Sequence, residues 1–256
     1  MGTNETAMAW VKDEIGRSVG LPRELGGIPL DEIGATGFGL AVAAEAAQEF
    51  SKVQLEGAHV IVQGFGAVGR HAARFLARKG TRLIAASDTQ GGVYDPNGLD
   101  IGRLEALKAE GRSVVDLEGA KRINSDDIVG IACDIWIPAA RPDVLRESNV
   151  EILKARLVLQ GANIPATSGA ERRMHERGIL SIPDFIANAG GVIAAAVEYQ
   201  GGTEKAAFDA IAEKIATNTR AVLEMATARR MLPREAAIEL ASARVERAMS
   251  ARRWQA

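Results

Sequence analysis

Cysteine is almost missing from this chain. Cys133 is the single one in 256 residues, so an intramolecular disulfide or a cysteine-rich metal site is excluded. Aromatic residues amount to 4%, which leaves Ala, Val, Leu and Ile to build the core. The three histidines, His59, His71 and His175, share no metal-ligand spacing, and no metal is expected. Neither sign of charge dominates: 31 Lys and Arg face 33 Asp and Glu, for a net charge of −2. A global basic field that would attract nucleic acid or an anionic membrane is therefore lacking. Nothing approaches the roughly 18 uninterrupted apolar residues of a membrane span. The first residues lack the basic start and apolar run of a signal peptide. Gly2 with Thr6 formally fits a myristoylation pattern, but no basic patch or second lipid site supports it. The expectation is a cytoplasmic protein whose partners are small molecules.

What is present reads as strand and helix in alternation. Met8, Val11, Ile15 and Val19 recur at helical spacing and predict an opening helix over about residues 4–19, capped by Asn4. A Pro/Gly-rich connection follows over 21–34, then an alanine-rich helix over about 37–50. The run His59-Val60-Ile61-Val62-Gln63 predicts a strand, followed by a helix to about Lys79 with Gly80 as its stop. Arg82 to Asp88 predicts the next strand, and residues 91–100 carry turn chemistry. Later apolar runs lie at 134–138, 156–160 and 178–182. All are near-continuously apolar, as strands covered on both faces are. From Phe185 onward the chain reads helical, broken at Gly201-Gly202 and Leu232-Pro233. Such alternation predicts a doubly wound, mostly parallel α/β sheet with helical ends.

The most informative motif is Gly64-Phe65-Gly66-Ala67-Val68-Gly69, between a predicted strand and a predicted helix. Gly64 permits the tight turn, Gly66 lets a pyrophosphate reach the backbone, and Gly69 lets helix and strand approach closely. The helix start offers free N–H groups and the positive end of its dipole. Asp88 stands 19 residues past Gly69, at the end of the next strand. A carboxylate there suits the adenosine ribose hydroxyls. Together these features predict a dinucleotide site. An acid at that strand end repels a 2′-phosphate, so NAD is expected ahead of NADP, with Arg78 or Arg82 able to offset the repulsion.

Two further sets follow. Gly34-Ala35-Thr36-Gly37-Phe38-Gly39 places three glycines around one hydroxyl ahead of a helix. Thr36 either meets a ligand carboxamide or caps the helix. Gly161-Ala162-Asn163 and Asn188-Ala189-Gly190-Gly191 follow strand carboxyl ends, where open α/β sheets bind ligands. Asn163 and Asn188 suit a nicotinamide carboxamide and ribose, or else hold their own turns. Cys133 reads as a buried small hydrophobe, Glu171-Arg172-Arg173 and Arg229-Arg230 as solvated helix faces, and Trp10, Trp136 and Trp254 as packing residues.

Assembled in this order, these blocks, with Cys133-Asp134-Ile135-Trp136-Ile137-Pro138-Ala139-Ala140, resemble the glutamate/leucine/phenylalanine/valine dehydrogenase family over about residues 2–249. The resemblance implies a Rossmann-like domain and NAD(P)-dependent oxidative deamination of an L-amino acid to a 2-oxo acid and ammonia. It implies that Thr36 holds the nicotinamide amide, that Gly64 to Gly69 cradle the pyrophosphate and that Asp88 meets the adenosine ribose. Ala139, Ala140, Asn163 and Asn188 would surround the nicotinamide, and Val192 and Ala195 would face the substrate side chain. Family members carry a preceding domain that supplies a catalytic lysine and aspartate; here no lysine stands in a comparable glycine-rich stretch. Residues 1–36 are accordingly expected to be the tail of such a domain, and 37–256 the NAD(P)-binding domain, incomplete for catalysis alone. Many glutamate-specific members have serine where Ala195 stands, which favours an apolar substrate here. A homo-oligomer is expected of the full-length enzyme. A non-catalytic NAD(H)-binding subunit, or another Rossmann enzyme, are the alternatives.

Overall fold

The computed structural model describes residues 4–251; Gly2 and Trp254 lie outside them. The chain opens with helices α1 (Glu5–Ile15), α2 (Leu30–Ile33), α3 (Ala35–Ala46) and α4 (Gln48–Ser51). Strand β1 (His59–Gln63), helix α5 (Ala67–Ala77) and strands β2 (Arg82–Asp88) and β3 (Gly91–Tyr94) follow. Next come α6 (Ile101–Ala109), β4 (Lys121–Ile123), β5 (Ile135–Pro138), β6 (Leu157–Leu159), α7 (Ser168–Glu176) and β7 (Leu180–Ile182). The end is helical: α8 (Asp184–Ala187), α9 (Gly190–Tyr199), α10 (Glu204–Arg229) and α11 (Pro233–Ser250).

The seven strands form one sheet in the order β4-β3-β2-β1-β5-β6-β7. β2, β1, β5, β6 and β7 are parallel, while β3 runs antiparallel to both β2 and β4. The chain winds outward from β1 in both directions, so the order reverses between β1 and β5. Open α/β sheets bind their ligands at that point, beyond the strand carboxyl ends.

Strand alternation divides the core in two. Val60, Val62, Ile135, Ile137, Leu157 and Leu159 face a cluster under α3, α5, α9 and α10. Ile61, Trp136 and Val158, alternating with them, face a second cluster with Ala170 and Met174 of α7. Between Val60 and Ile61 the register with β2 slips by one residue. This bulge places both Ile84 and Ala85 on the α7 side.

Several expectations are corrected. Helix α1 stops at Gly16, whose φ of +77° takes the left-handed conformation suited to a helix end, short of Val19. Asn4 does cap it, accepting from the Ala7 N–H at 3.0 Å. Trp10 is 66% exposed and lies outside the buried core, so it is not the packing residue expected. The residues read as turn at 91–94 form β3, because β2 supplies a pairing edge. Glu171 is buried, not solvated, because Arg234 of α11 reaches over it. The connection before α3 is buried as well: Ile28 and Ile33 join the core cluster under α3, and Leu21 is covered beside it. The Glu198 carboxylate anchors it by accepting from the N–H groups of Gly20 at 2.7 Å and Leu21 at 3.0 Å. No helix among the described residues is long and apolar enough to cross a membrane.

Candidate functional site

The glycine turn between β1 and α5 is built as its spacing requires. Gly64 sits at φ +95°, and a Cβ there would come within 2.6 Å of the Ala140 backbone. A Cβ on Gly69 would come within 2.1 Å of the Gly64 carbonyl oxygen, so glycine alone lets α5 start this close to β1. Gly66 differs. Its backbone is extended, and a Cβ there would meet nothing within 4 Å. The space above Gly66 is open, next to the first turn of α5, which has no side-chain cap and no acidic residue. The N–H groups of Ala67, Val68 and Gly69 in that turn lack intrahelical acceptors. An anionic group fits there by geometry and by dipole. Phe65 is among the residues that line the cleft over this turn. Its side chain is fully buried in the core, and its N–H and that of Gly64 both donate to the Ser87 carbonyl, at 2.7 and 3.0 Å. It anchors the turn.

A cleft of about 600 Å³ opens over this turn, with Asp88, Lys108, Ala139 and Ala140 among its walls. A larger cavity of about 930 Å³ adjoins it below the loop after β5, yet holds none of the candidate residues read from the sequence. Gln63 lines both and keeps its buried Oε1 without a hydrogen-bond partner. The smaller cleft holds the anion seat and the switch point, so the chemistry favours it.

Asp88 stands at the predicted strand end but is not a free carboxylate. Lys108 Nζ donates to it at 2.9 Å, Ser113 Oγ at 2.9 Å, and the N–H groups of Gln90 and Val114 at 3.0 Å each. Four donors occupy about as many acceptor positions as a carboxylate has. Burial alone would raise its pKa; Lys108 and the other donors outweigh that and hold it below the ordinary value. The cation that offsets its charge is thus Lys108, not Arg78 or Arg82. Lys108 follows Asp88 by twenty residues without a motif, so nothing local in the sequence signals it.

The second group assembles around β6 and β7. Asn188 Nδ2 donates to Asn163 Oδ1 at 2.9 Å and to the Gly161 carbonyl at 3.3 Å. Gly161 lies against Ala139, and Ala140 against Gly64, so these alanines link the asparagine pair to the glycine turn, while the asparagines themselves stand outside the walls of the cleft. Thr36 is inside the first turn of α3, where Gly34 occupies the cap position. The Thr36 hydroxyl therefore does not cap the helix; it faces Gly191, where a Cβ would approach it to 3.1 Å. Val192 is 75% exposed and Ala195 half-buried on α9. Cys133 is largely covered, and burial, then Asp134, raises its thiol pKa far from reactivity.

Residues 26–253 match the family described as Glutamate/Leucine/Phenylalanine/Valine dehydrogenase. Glutamate dehydrogenase of Aeropyrum pernix is 36% identical over 98% of this chain and 65% of its own length. NADP-specific glutamate dehydrogenase of Saccharolobus shibatae is 40% identical over 78% of this chain and 49% of its own. The chain thus spans less than two thirds of the length of these relatives. The hetero-hexameric glutamate dehydrogenase of Thermus thermophilus, solved in a Leu-bound form, superposes with a TM-score of 0.88 over all of this chain and 64% of that one, at 27% identity. With a matched stretch that runs through the glycine turn, the asparagine loops and the helices behind them, this chain belongs to the glutamate/leucine/phenylalanine/valine dehydrogenase family.

Proposed function

We propose that this chain is the NAD(P)-binding portion of an amino-acid dehydrogenase, which interconverts an L-amino acid with a 2-oxo acid and ammonia. The observation that carries the reading is the open space above Gly66 beside the uncapped start of α5. Glycine is not demanded there by the protein's own packing, unlike at Gly64 and Gly69. What it leaves room for is a group outside the chain; the free N–H groups call for an acceptor, and the helix dipole favours an anionic one. When bound, the nicotinamide ring accepts a hydride from the substrate carbon or returns it.

The chain's residues hold and orient. The N–H groups of Ala67, Val68 and Gly69 take the pyrophosphate. Ala139 and Ala140 wall the middle of the cleft, and Thr36, Asn163 and Asn188 offer donors and acceptors to the nicotinamide end. With Asp88 paired to Lys108, the strand end tolerates a 2′-phosphate, so the site takes NADP as well as NAD. Val192 and Ala195 border the substrate; neither offers a hydrogen-bonding side chain, which suits an apolar amino acid better than glutamate. The working enzyme is an oligomer. Calorimetry with NADH and NADPH tests the cofactor reading: both should release heat at one site per chain. Absence of binding by either dinucleotide refutes it.

A further inference from the structure

Arg234, the second residue of α11, reaches back under the sheet's carboxyl end. Its side chain is 23% exposed and makes three hydrogen bonds. Nε donates to Glu171 Oε2 at 2.7 Å, and Nη2 donates to Gln160 Oε1 and Asp184 Oδ1, each at 2.9 Å. Both carboxylate side chains are only 8% exposed. Gln160, fully buried at the end of β6, donates in turn to Glu171 Oε1 at 2.7 Å and Ser181 Oγ at 3.0 Å. One planar cation thus ties α7, α8 and the end of β6 together, and β7 joins through the Gln160–Ser181 bond.

Asp184 passes this restraint on. Its Oδ2 accepts the N–H of Ile164 at 2.8 Å. Ile164 sits at φ +48°, a conformation that is costly for a β-branched residue. The residue is 59% exposed, so packing does not hold it there. Hydrogen bonds do, from Ile164 N–H to Asp184 and from Asp143 N–H to the Ile164 carbonyl at 2.9 Å. The residue just before this turn is Asn163. Asn188 closes α8 with a backbone bond to the Asp184 main-chain carbonyl at 2.7 Å and is coupled to the turn through its side chain, which donates to Asn163 Oδ1 at 2.9 Å.

We infer that Arg234 is a positioning residue: through Asp184 it braces the left-handed turn at Ile164 and so holds Asn163 and Asn188 at the nicotinamide end of the cleft, without touching the ligand. This rests on the cofactor reading above. The test compares NADH with ADP-ribose, which lacks the nicotinamide ring, by calorimetry on the whole chain. Arg234→Lys keeps the charge but loses the planar fork. NADH should weaken about tenfold as the turn relaxes, while ADP-ribose changes by less than about twofold. Arg234→Lys combined with Ile164→Gly should recover NADH binding, because glycine takes the left-handed conformation freely. Both ligands weakening alike, neither weakening, or no rescue from this exposed loop position overturns the brace. Should Arg234→Lys not fold, Asp184→Asn carries the same comparison, with the same expected loss confined to NADH. Wild-type protein that binds neither ligand overturns the cofactor reading itself. Wild-type protein that binds both equally overturns only the assignment of the asparagines and the brace.

Discussion

Three glycines in one turn should respond to alanine in two opposite ways. At Gly66 the backbone is extended, with φ −90° and ψ −158°, and the added methyl meets no protein atom within 4 Å. Folding should therefore be unharmed; trimming glycine's freedom in the unfolded chain stabilises by about 0.4–1 kcal/mol. Binding should suffer heavily. A phosphate oxygen bonded to the α5 N–H groups sits about 2.9 Å from nitrogen, and a methyl group needs about 3.5–4 Å from its neighbours. The methyl occupies the phosphate's seat. Losing two charge-assisted hydrogen bonds, each about 1.5–3 kcal/mol, weakens NADH by roughly two orders of magnitude or more. Gly64→Ala and Gly69→Ala are the controls. Each forces a Cβ into backbone, to 2.6 Å from Ala140 and 2.1 Å from the Gly64 carbonyl. Each should destabilise by about 2–4 kcal/mol, seen as a lower urea midpoint. Calorimetry with NADH and urea titration of the three variants decide it. Gly66→Ala that binds NADH within about threefold of wild type, or that unfolds as easily as the other two, refutes the seat at Gly66.

Other consequences are measurable separately. Lys108→Met leaves Asp88 without its cation, so NADPH should weaken about tenfold relative to NADH; parallel titrations that fall equally contradict the pairing's role in cofactor choice. His71 is buried on α5, with Nε2 donating to the Asp31 carbonyl and Nδ1 accepting from Arg74, each within 2.9 Å. Burial first, then Arg74 and Arg70, lower its pKa from 6.5. The unfolded chain therefore takes up the proton first as pH falls, so stability is complete above about 6.5 and declines below it. Urea midpoints between pH 5 and 8 should show that slope, and His71→Gln should flatten it. Glu198→Gln retains one acceptor for the two N–H groups of Gly20 and Leu21 and should cost about 1–3 kcal/mol in urea unfolding; an unchanged midpoint contradicts the anchor.

The legible parts of the sequence were those whose signal is local. β1 and β2 match the predicted runs His59–Gln63 and Arg82–Asp88 residue for residue, since continuous apolar stretches bounded by glycine carry their own limits. The glycine turn was legible for the same reason. β3 and β4 were not. Gly91-Gly92 resembles a turn, and Lys121–Ile123 is short with two exposed residues; β3 is a strand because β2 offers an edge to pair with, and β4 because β3 offers the next. Long-range ion pairs were equally hidden. Asp88 looked like a free acid because Lys108 and Ser113 lie 20 and 25 residues away without a periodic pattern. Glu171 sits in a charged run that mimics a solvated face, and its partner Arg234 is 63 residues distant. In both cases composition describes the carboxylate, while only the fold supplies the cation.

The scarcity of aromatics connects to how the site is held. Helix α3 buries Ala35, Gly37, Gly39, Ala41, Ala43, Ala44 and others around its whole circumference, because α5, α9 and α10 all pack on it. Phe38 fills part of the space by packing edge-on against Phe75 of α5 and Phe208 of α10, but side chains at the glycine positions would hold the helices apart. A Cβ on Gly37 would come within 2.5 Å of the Ala72 nitrogen on α5, and one on Gly190 within 2.1 Å of the Ala35 carbonyl. Those two contacts set the distance from α3 to α5 on one side and to α9 on the other. Thr36 is thereby brought to Gly191, and Val192 and Ala195 follow on the same helix. The site's precision thus comes from backbone-to-backbone contact, which has no rotamers to relax. That is a reason for so alanine- and glycine-rich a core behind the glycine turn and the asparagine loops.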